Sequence, residues 1–258
     1  MNKIEVVSKS EIVSEIEGIV IEYSNDVLTL LVKDDLEEPV MFINNIYPNI
    51  KVIVDNNKTL TLLEIKGNKT TGNFNYKYIL GNNSKIIINK FYYMNECTES
   101  IIVNLDGYAS EVLLNLSVMS FSHQKYNINI NHNSKKTISN IYNHGISFQG
   151  GTLDLIVNGI VKKGMSDSVL NQDNKIMTMG SGKNTIKPNL FIDENMVEAR
   201  HGASIGSFND EELFYLGTRG IPKEEGYHLL MKGFLLGNLN LDSEMLIQLS
   251  NIIEKFGR

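Results

Sequence analysis

From about Val27 to Gly206 the chain is a succession of short β-type runs, with no helical pattern of ten or more residues between them. That spacing argues against βαβ units and a doubly wound sheet. The runs are Val27–Val32, Val40–Ile46, Ile50–Val54, Leu60–Ile65, Phe74–Leu80, Lys85–Met94, Ile101–Leu105, Val112–Phe121, Tyr126–Ile130 and Leu153–Val161. Each is rich in Ile, Val, Leu or Tyr and is bounded by Asn, Asp, Gly or Ser, which supply turns. Alternation at Val112, Leu114, Leu116 and Val118, and at Ile128 and Ile130, turns one face of each strand towards a core. A β-sandwich and a β-solenoid both satisfy this pattern. Asp106-Gly107 and Asn158-Gly159 are the candidate hairpin turns of a sandwich. Most connections are single Asn or Asn-Asn steps, which fit the stacked corners of a solenoid better, although no strict repeat period is present.

The last fifty residues differ. Asp210-Glu211-Glu212 before Leu213-Phe214-Tyr215-Leu216 predicts a short helix with acids at its positive end. Pro222 suits a first helical turn, and Lys223–Leu236 follows with Leu229, Leu230 and Phe234 as an apolar stripe. Asp242 or Ser243 can cap a third helix that carries Met245, Leu249, Ile252, Ile253 and Phe256 on one face. The predicted plan is an N-terminal segment (1–26), a β core (27–208) and a helical C-terminal region (209–258).

An apolar content of 42% over 258 residues excludes intrinsic disorder and leaves ample material for a core. A net charge of −6 argues against nucleic acid or an anionic membrane as a general partner. Cys97 is the lone cysteine, so no internal disulfide is expected and a reducing cytoplasm fits. The first residues carry no apolar signal region, and no run approaches eighteen apolar residues, so neither a signal peptide nor a transmembrane helix is expected. The chain holds 32 Asn and 31 Ile but three Arg; isoleucine reads as the inward face of stacked strands and asparagine as their corners.

Gly180-Ser181-Gly182-Lys183 imitates a phosphate loop. The motif fails because Met177 stands where its first glycine belongs, Asn184 replaces the Ser or Thr, and Pro188 blocks the following helix. A turn between strands is the expectation. The acid pairs Asp34-Asp35, Glu37-Glu38 and Glu224-Glu225 are adjacent in sequence and read as solvated surface. Cys97 reads as a small buried hydrophobe, and the five histidines show no metal-type spacing.

One segment is more specific. It runs Pro188-Asn189-Leu190-Phe191-Ile192, then Val197-Glu198-Ala199-Arg200-His201-Gly202-Ala203-Ser204-Ile205-Gly206. It continues through Asp210-Glu211-Glu212-Leu213-Phe214-Tyr215-Leu216 to Thr218-Arg219-Gly220-Ile221. This run resembles the SufB/SufD family of iron–sulfur cluster assembly proteins, in the SufD form because Gly202 follows His201. Weaker similarity extends through Asn143-His144-Gly145, Phe148-Gln149-Gly150 and Asp154–Val161.

The resemblance implies a right-handed parallel β-helix with C-terminal helices beside it, in a short form without most of the helical N-terminal region of longer members. It implies a non-catalytic scaffold that docks a SufC-type ABC ATPase and pairs with a SufB-like subunit or a second copy of itself. His201 and Gly202 would lie at that subunit interface, where His201 is the candidate metal ligand, shared with the partner around a transient iron–sulfur cluster. An interface or structural hydrogen bond is the other role open to His201. Ala199 stands where SufD often has a cysteine, so this chain alone is expected to hold no cluster stably. Leu213, Phe214, Tyr215, Arg219, Leu229, Leu230 and Phe234 are the candidate ATPase contacts, with packing on the β-body as the competing role of the apolar residues, and a cap on the short helix or a salt bridge to a nearby acid as that of Arg219. A polysaccharide-active β-helix enzyme and a homomeric structural protein are the alternative functions; the first requires three or more converging carboxylates.

Overall fold

In the computed structural model, which describes residues 2–8, 11–13, 16–36, 38–43, 46–67 and 69–256, successive strands from the fourth onward pass back and forth between two sheets of parallel strands, while the first and second strands, and the third and fourth, pair antiparallel. The strands are β1 (Asn2–Ser8), β2 (Glu11–Val13), β3 (Ile19–Ser24), β4 (Val27–Val32), β5 (Val40–Ile43) and β6 (Asn49–Val54). Next come β7 (Thr59–Lys66), β8 (Gly72–Leu80), β9 (Lys85–Met94), β10 (Cys97–Leu105), β11 (Glu111–Ser120) and β12 (His123–His132). The series closes with β13 (Ile138–Ser147), β14 (Thr152–Val161), β15 (Ser168–Thr178), β16 (Thr185–Ile192) and β17 (Val197–Gly206). One sheet has the order β17-β15-β13-β11-β9-β7-β5-β1-β2 and the other β16-β14-β12-β10-β8-β6-β4-β3. The result is a parallel β-solenoid of about six turns with helices at its C-terminal end. The sandwich alternative is thereby excluded.

Neither candidate hairpin of the sandwich alternative forms. Gly107 sits at a coil corner, where an added Cβ would stand 2.0 Å from the Gly81 carbonyl carbon of the coil before, and Asn158-Gly159 lies inside β14. Asn25-Asp26, with φ of 51° and 60°, makes the hairpin that joins β3 to β4, as a turn with two left-handed residues does. Gly182 of the failed phosphate loop is also a stacking glycine, since a Cβ there would meet the Gly151 carbonyl oxygen at 1.9 Å.

Coil length explains the missing sequence period. Val27 lies beside Asn49, Lys85 beside Glu111 and Ile138 beside Val169, steps of 22, 26 and 31 residues. Stacked asparagines bridge these coils at corners and along strands alike. Asn83 bonds Asn57 at a corner, whereas Asn115 bonds Asn89, Asn131 bonds Asn104 and Asn171 bonds Asn140 on strands. The corner role assigned to asparagine therefore covers only some of them.

Inward columns of Ile, Leu, Val and Tyr fill the interior, each full burial of such a side chain being worth about 1.5–3 kcal/mol. Strands β13 and β15 were not anticipated as runs because their inward residues include Ser139, Asn143 and Ser147, then Ser168, Gln172 and Asn174. A polar lumen erases the apolar alternation on which strand reading depends.

The helices are α1 (Asp210–Thr218), α2 (Lys223–Leu236) and α3 (Ser243–Ile253). Asn209 Oδ1 caps α1 by accepting from the Glu211 amide at 2.9 Å, and Asp242 caps α3 through the Met245 amide at 2.8 Å. Pro222 is the residue just outside α2. Helices α2 and α3 lie on the outer face of the nine-stranded sheet, where Met231, Leu235, Leu249 and Ile253 pack with Phe91, Met119 and Ile146. Among the described residues no helix is long and apolar enough to cross a membrane.

Candidate functional site

The C-terminal end of the solenoid is open. Strands β16 and β17 each have a strand neighbour on one side only, so their outer backbone groups are free to pair. Inward columns that are buried through the preceding coils surface here. The column Leu62, Ile88, Leu114, Ile141 continues to Gln172 on β15 and ends on His201. His201 is exposed, and its side chain makes no hydrogen bond to a described residue.

Ala199, two residues earlier and on the same face, contributes only a methyl group. Gly202 accepts from Asn174 Nδ2 at 3.1 Å through its carbonyl. Arg200 faces the other way, its Nε donating to Asn171 Oδ1 at 2.6 Å. Phe191, Met196 and Ile205 are exposed apolar side chains around this end. One imidazole is an incomplete donor set, and among the described residues no group of three or more His, Cys, Asp or Glu could hold a metal.

The helical arm sorts the predicted docking residues into two groups. Phe214 and Tyr215 of α1 and Leu229 of α2 are 75%, 57% and 42% exposed. Tyr215 and Leu230 line a groove of about 370 Å³ together with Asn209, Glu211, Glu212 and Leu216. Leu213, 7% exposed, is instead buried under α2, where Gly226 leaves it room. Phe234 stacks on the His144 ring with centroids 4.5 Å apart. Leu213 and the partly buried Phe234 therefore pack within the arm and against the β-body, the competing role given to them. Arg219 meets no carboxylate among the described residues. Its Nη2 donates to Tyr215 Oη at 3.1 Å, with the guanidinium 5.2 Å from the ring centre, a cation–π contact, and Arg219 also caps the end of α1, its amide donating to the Leu216 carbonyl at 3.0 Å.

The arm is tied to the solenoid through orphan carbonyls at the end of α2. His144 Nδ1 bonds the Phe234 carbonyl at 2.7 Å, and Ser117 Oγ donates to that of Leu235 at 2.8 Å. Burial lowers the His144 pKa, against the opposing pull of that carbonyl. The neighbouring groove of about 470 Å³ is lined by Tyr142, His144, Asp173, Lys175 and Asn238 among others, and holds one carboxylate, paired to Lys175 at 2.7 Å. The polysaccharide alternative needs three converging carboxylates, and this groove does not supply them.

A third constellation was not anticipated. Glu64, Lys66, Lys90 and Glu99 lie inside the solenoid with Tyr76 and Tyr92. Lys90 Nζ is 2.7 Å from Glu64 and 2.9 Å from Glu99, Lys66 Nζ is 3.4 Å and 3.6 Å from the same acids, and Tyr92 Oη donates to Glu64 at 2.7 Å. Burial alone would raise the Glu64 carboxyl, but Lys66 and Lys90 override it and hold its pKa at about 2. Burial also opposes the Lys90 ammonium, yet Glu64 and Glu99 keep it above its ordinary value. Cys97 is buried as expected, its thiol pushed up to about 12 by burial and by Glu99, so it is held as an unreactive thiol. Charges two residues beyond Leu62 and Ile88, on the same inward parity, were the available signal. Local pattern reading treats such charges as surface.

The chain is a two-sheeted parallel β-solenoid with an exposed terminal edge and a helical arm on one face. Residues 50–234 match the family model described as "SUF system FeS cluster assembly, SufBD core domain". The chain belongs to this SufBD core family. It is 32% identical over 120 residues to the iron–sulfur cluster assembly protein SufD of Bacillus subtilis, covering 45% of this chain and 27% of that protein. It is 32% identical over 117 residues to SufB of the same organism, covering 44% and 24%. An iron–sulfur cluster assembly SufBD family protein of Mycobacterium leprae is 42% identical over 62 residues, covering 24% and 16%. The matched segment spans about a quarter of the length of the two Bacillus relatives.

Proposed function

We propose that the chain is a non-catalytic subunit of a cytoplasmic SUF-type iron–sulfur cluster assembly complex. It pairs through the open end of its solenoid with a SufB-like subunit or a second copy of itself, and docks a SufC-type ABC ATPase on its helical arm. The observation that carries this reading is the placement of His201 at the end of an inward column, on a strand edge with no partner. Pairing there would cover Phe191, Met196 and Ile205 and bring partner donors to the imidazole. A neutral imidazole is a competent ligand for iron, and the cluster would be cargo made between chains. On the arm, Phe214, Tyr215 and Leu229 supply the aromatic and aliphatic anchors that protein interfaces favour.

Co-expression with a SufC-type ATPase and a SufB homologue tests the reading. A stable complex, and iron and sulfide loading that falls when His201 is replaced by Ala, are the expected results. No complex at micromolar concentration and no effect of this chain on ATPase rate would remove it.

A further inference from the structure

Gln172 is 5% exposed, and its Oε1 has no hydrogen-bond partner among the described residues. A buried acceptor without a donor is costly, so keeping one here calls for a reason. Its Nε2 stands 3.5 Å from the Asn189 carbonyl of β16, at the limit of a hydrogen bond. On the facing wall a Cβ at Gly159 would come within 3.1 Å of that Nε2, so the glycine leaves the amide its space. The next residue in the Gln172 column is His201, registered directly beside it and also without a side-chain partner among the described residues.

We infer that Gln172 is a positioning residue for His201. Its Oε1 accepts the N–H of one imidazole nitrogen, which selects the tautomer and leaves the lone pair of the other nitrogen facing out of the open end. Neighbouring strands lie about 4.8 Å apart with registered side chains on one face, so rotation of the exposed His201 side chain is enough to close the bond. Ligating imidazoles commonly donate their second N–H to a carbonyl or carboxylate, which orients the ring. The consequence for a shared ligand rests on the interface reading above. The hydrogen bond itself is a property of this chain alone.

The test is the tautomer of His201 in the whole ¹⁵N-histidine-labelled chain, read by long-range ¹H–¹⁵N correlation where the ring is neutral and assigned with His201→Asn. One dominant tautomer is expected in the native chain and in Gln172→Glu, which retains an acceptor. Gln172→Leu should lose that preference and show the mixed population of a free imidazole. A cooperative thermal transition shows that the Leu variant is folded; Gln172→Met serves the same purpose if the Leu variant does not fold. An unchanged tautomer population in a folded Leu or Met variant overturns the inference. Failure of the interface reading looks different: His201→Ala would then load iron normally in the complex while the tautomer result stands.

Discussion

Lys90 Nζ lies 2.7 Å from a Glu64 carboxylate oxygen, and the two residues sit side by side in adjacent coils with their side chains sealed from solvent. Lys66 and Glu99 complete a neutral quartet that draws β7, β9 and β10 together. Desolvating four charges is expensive, so the quartet is better understood as a lock on coil register than as a source of stability. A slip of one residue would turn the charges outward and apolar outer-face residues inward.

Replacing Lys90 by Met leaves two buried carboxylates facing one cation, and a loss of about 3–5 kcal/mol in urea unfolding is expected. The double variant Lys90→Met/Glu64→Gln restores neutrality and should lose less than the sum of its single changes. Additive losses would show that the two groups are not coupled.

Stability should depend on pH in two separate windows. Burial pulls the His132 pKa down to about 4, with Thr137 and Ser139 hydroxyls on its ring nitrogens. Below its ordinary value of 6.5 the unfolded state binds a proton that the folded state refuses. Stability is therefore full above that pH and falls, by roughly 3 kcal/mol from this group, as pH drops towards 4. Glu64 adds a second loss as pH falls from its ordinary 4.5 through about 2. Chemical denaturation across this range should show the first decline largely abolished in His132→Asn.

Removing the ties on α2 should loosen the arm and spare the solenoid. The pair Ser117→Ala and His144→Ala uncaps two helix carbonyls, at about 1 kcal/mol for each hydrogen bond. Hydrogen exchange should quicken in 223–253 while 85–132 stays protected. Uniform acceleration would contradict this.

Phe214→Ala and Tyr215→Ala should leave the melting temperature unchanged and weaken ATPase binding by tenfold or more, about 1.4 kcal/mol. Leu213→Ala should do the reverse and lower the melting temperature, because its side chain fills the α1–α2 contact. Equal binding by all three variants would count against docking on this face.

Legibility followed local chemistry. Lys85–Met94, Asp242 as a cap and the failure of Gly180-Ser181-Gly182-Lys183 as a phosphate loop were all readable, since each depends on residues within a few positions. The buried quartet, the asparagine ladders, the strands of the polar lumen and the pairing of Gln172 with His201 were not, because each depends on what the next coil brings alongside.

By itself the amino-acid sequence determined the strand-rich body, the helices that follow it and the motif around His201. Strand propensity, caps and period-two parity are properties of short segments. The tertiary structure decided which residues share a column, and so which charges are buried together, which of the candidate contact residues remain outside, and that His201 ends a column at an unpaired edge. The physical reason is that column partners are set by coil length, which drifts from 22 to 31 residues along the chain and is fixed only when all the coils stack.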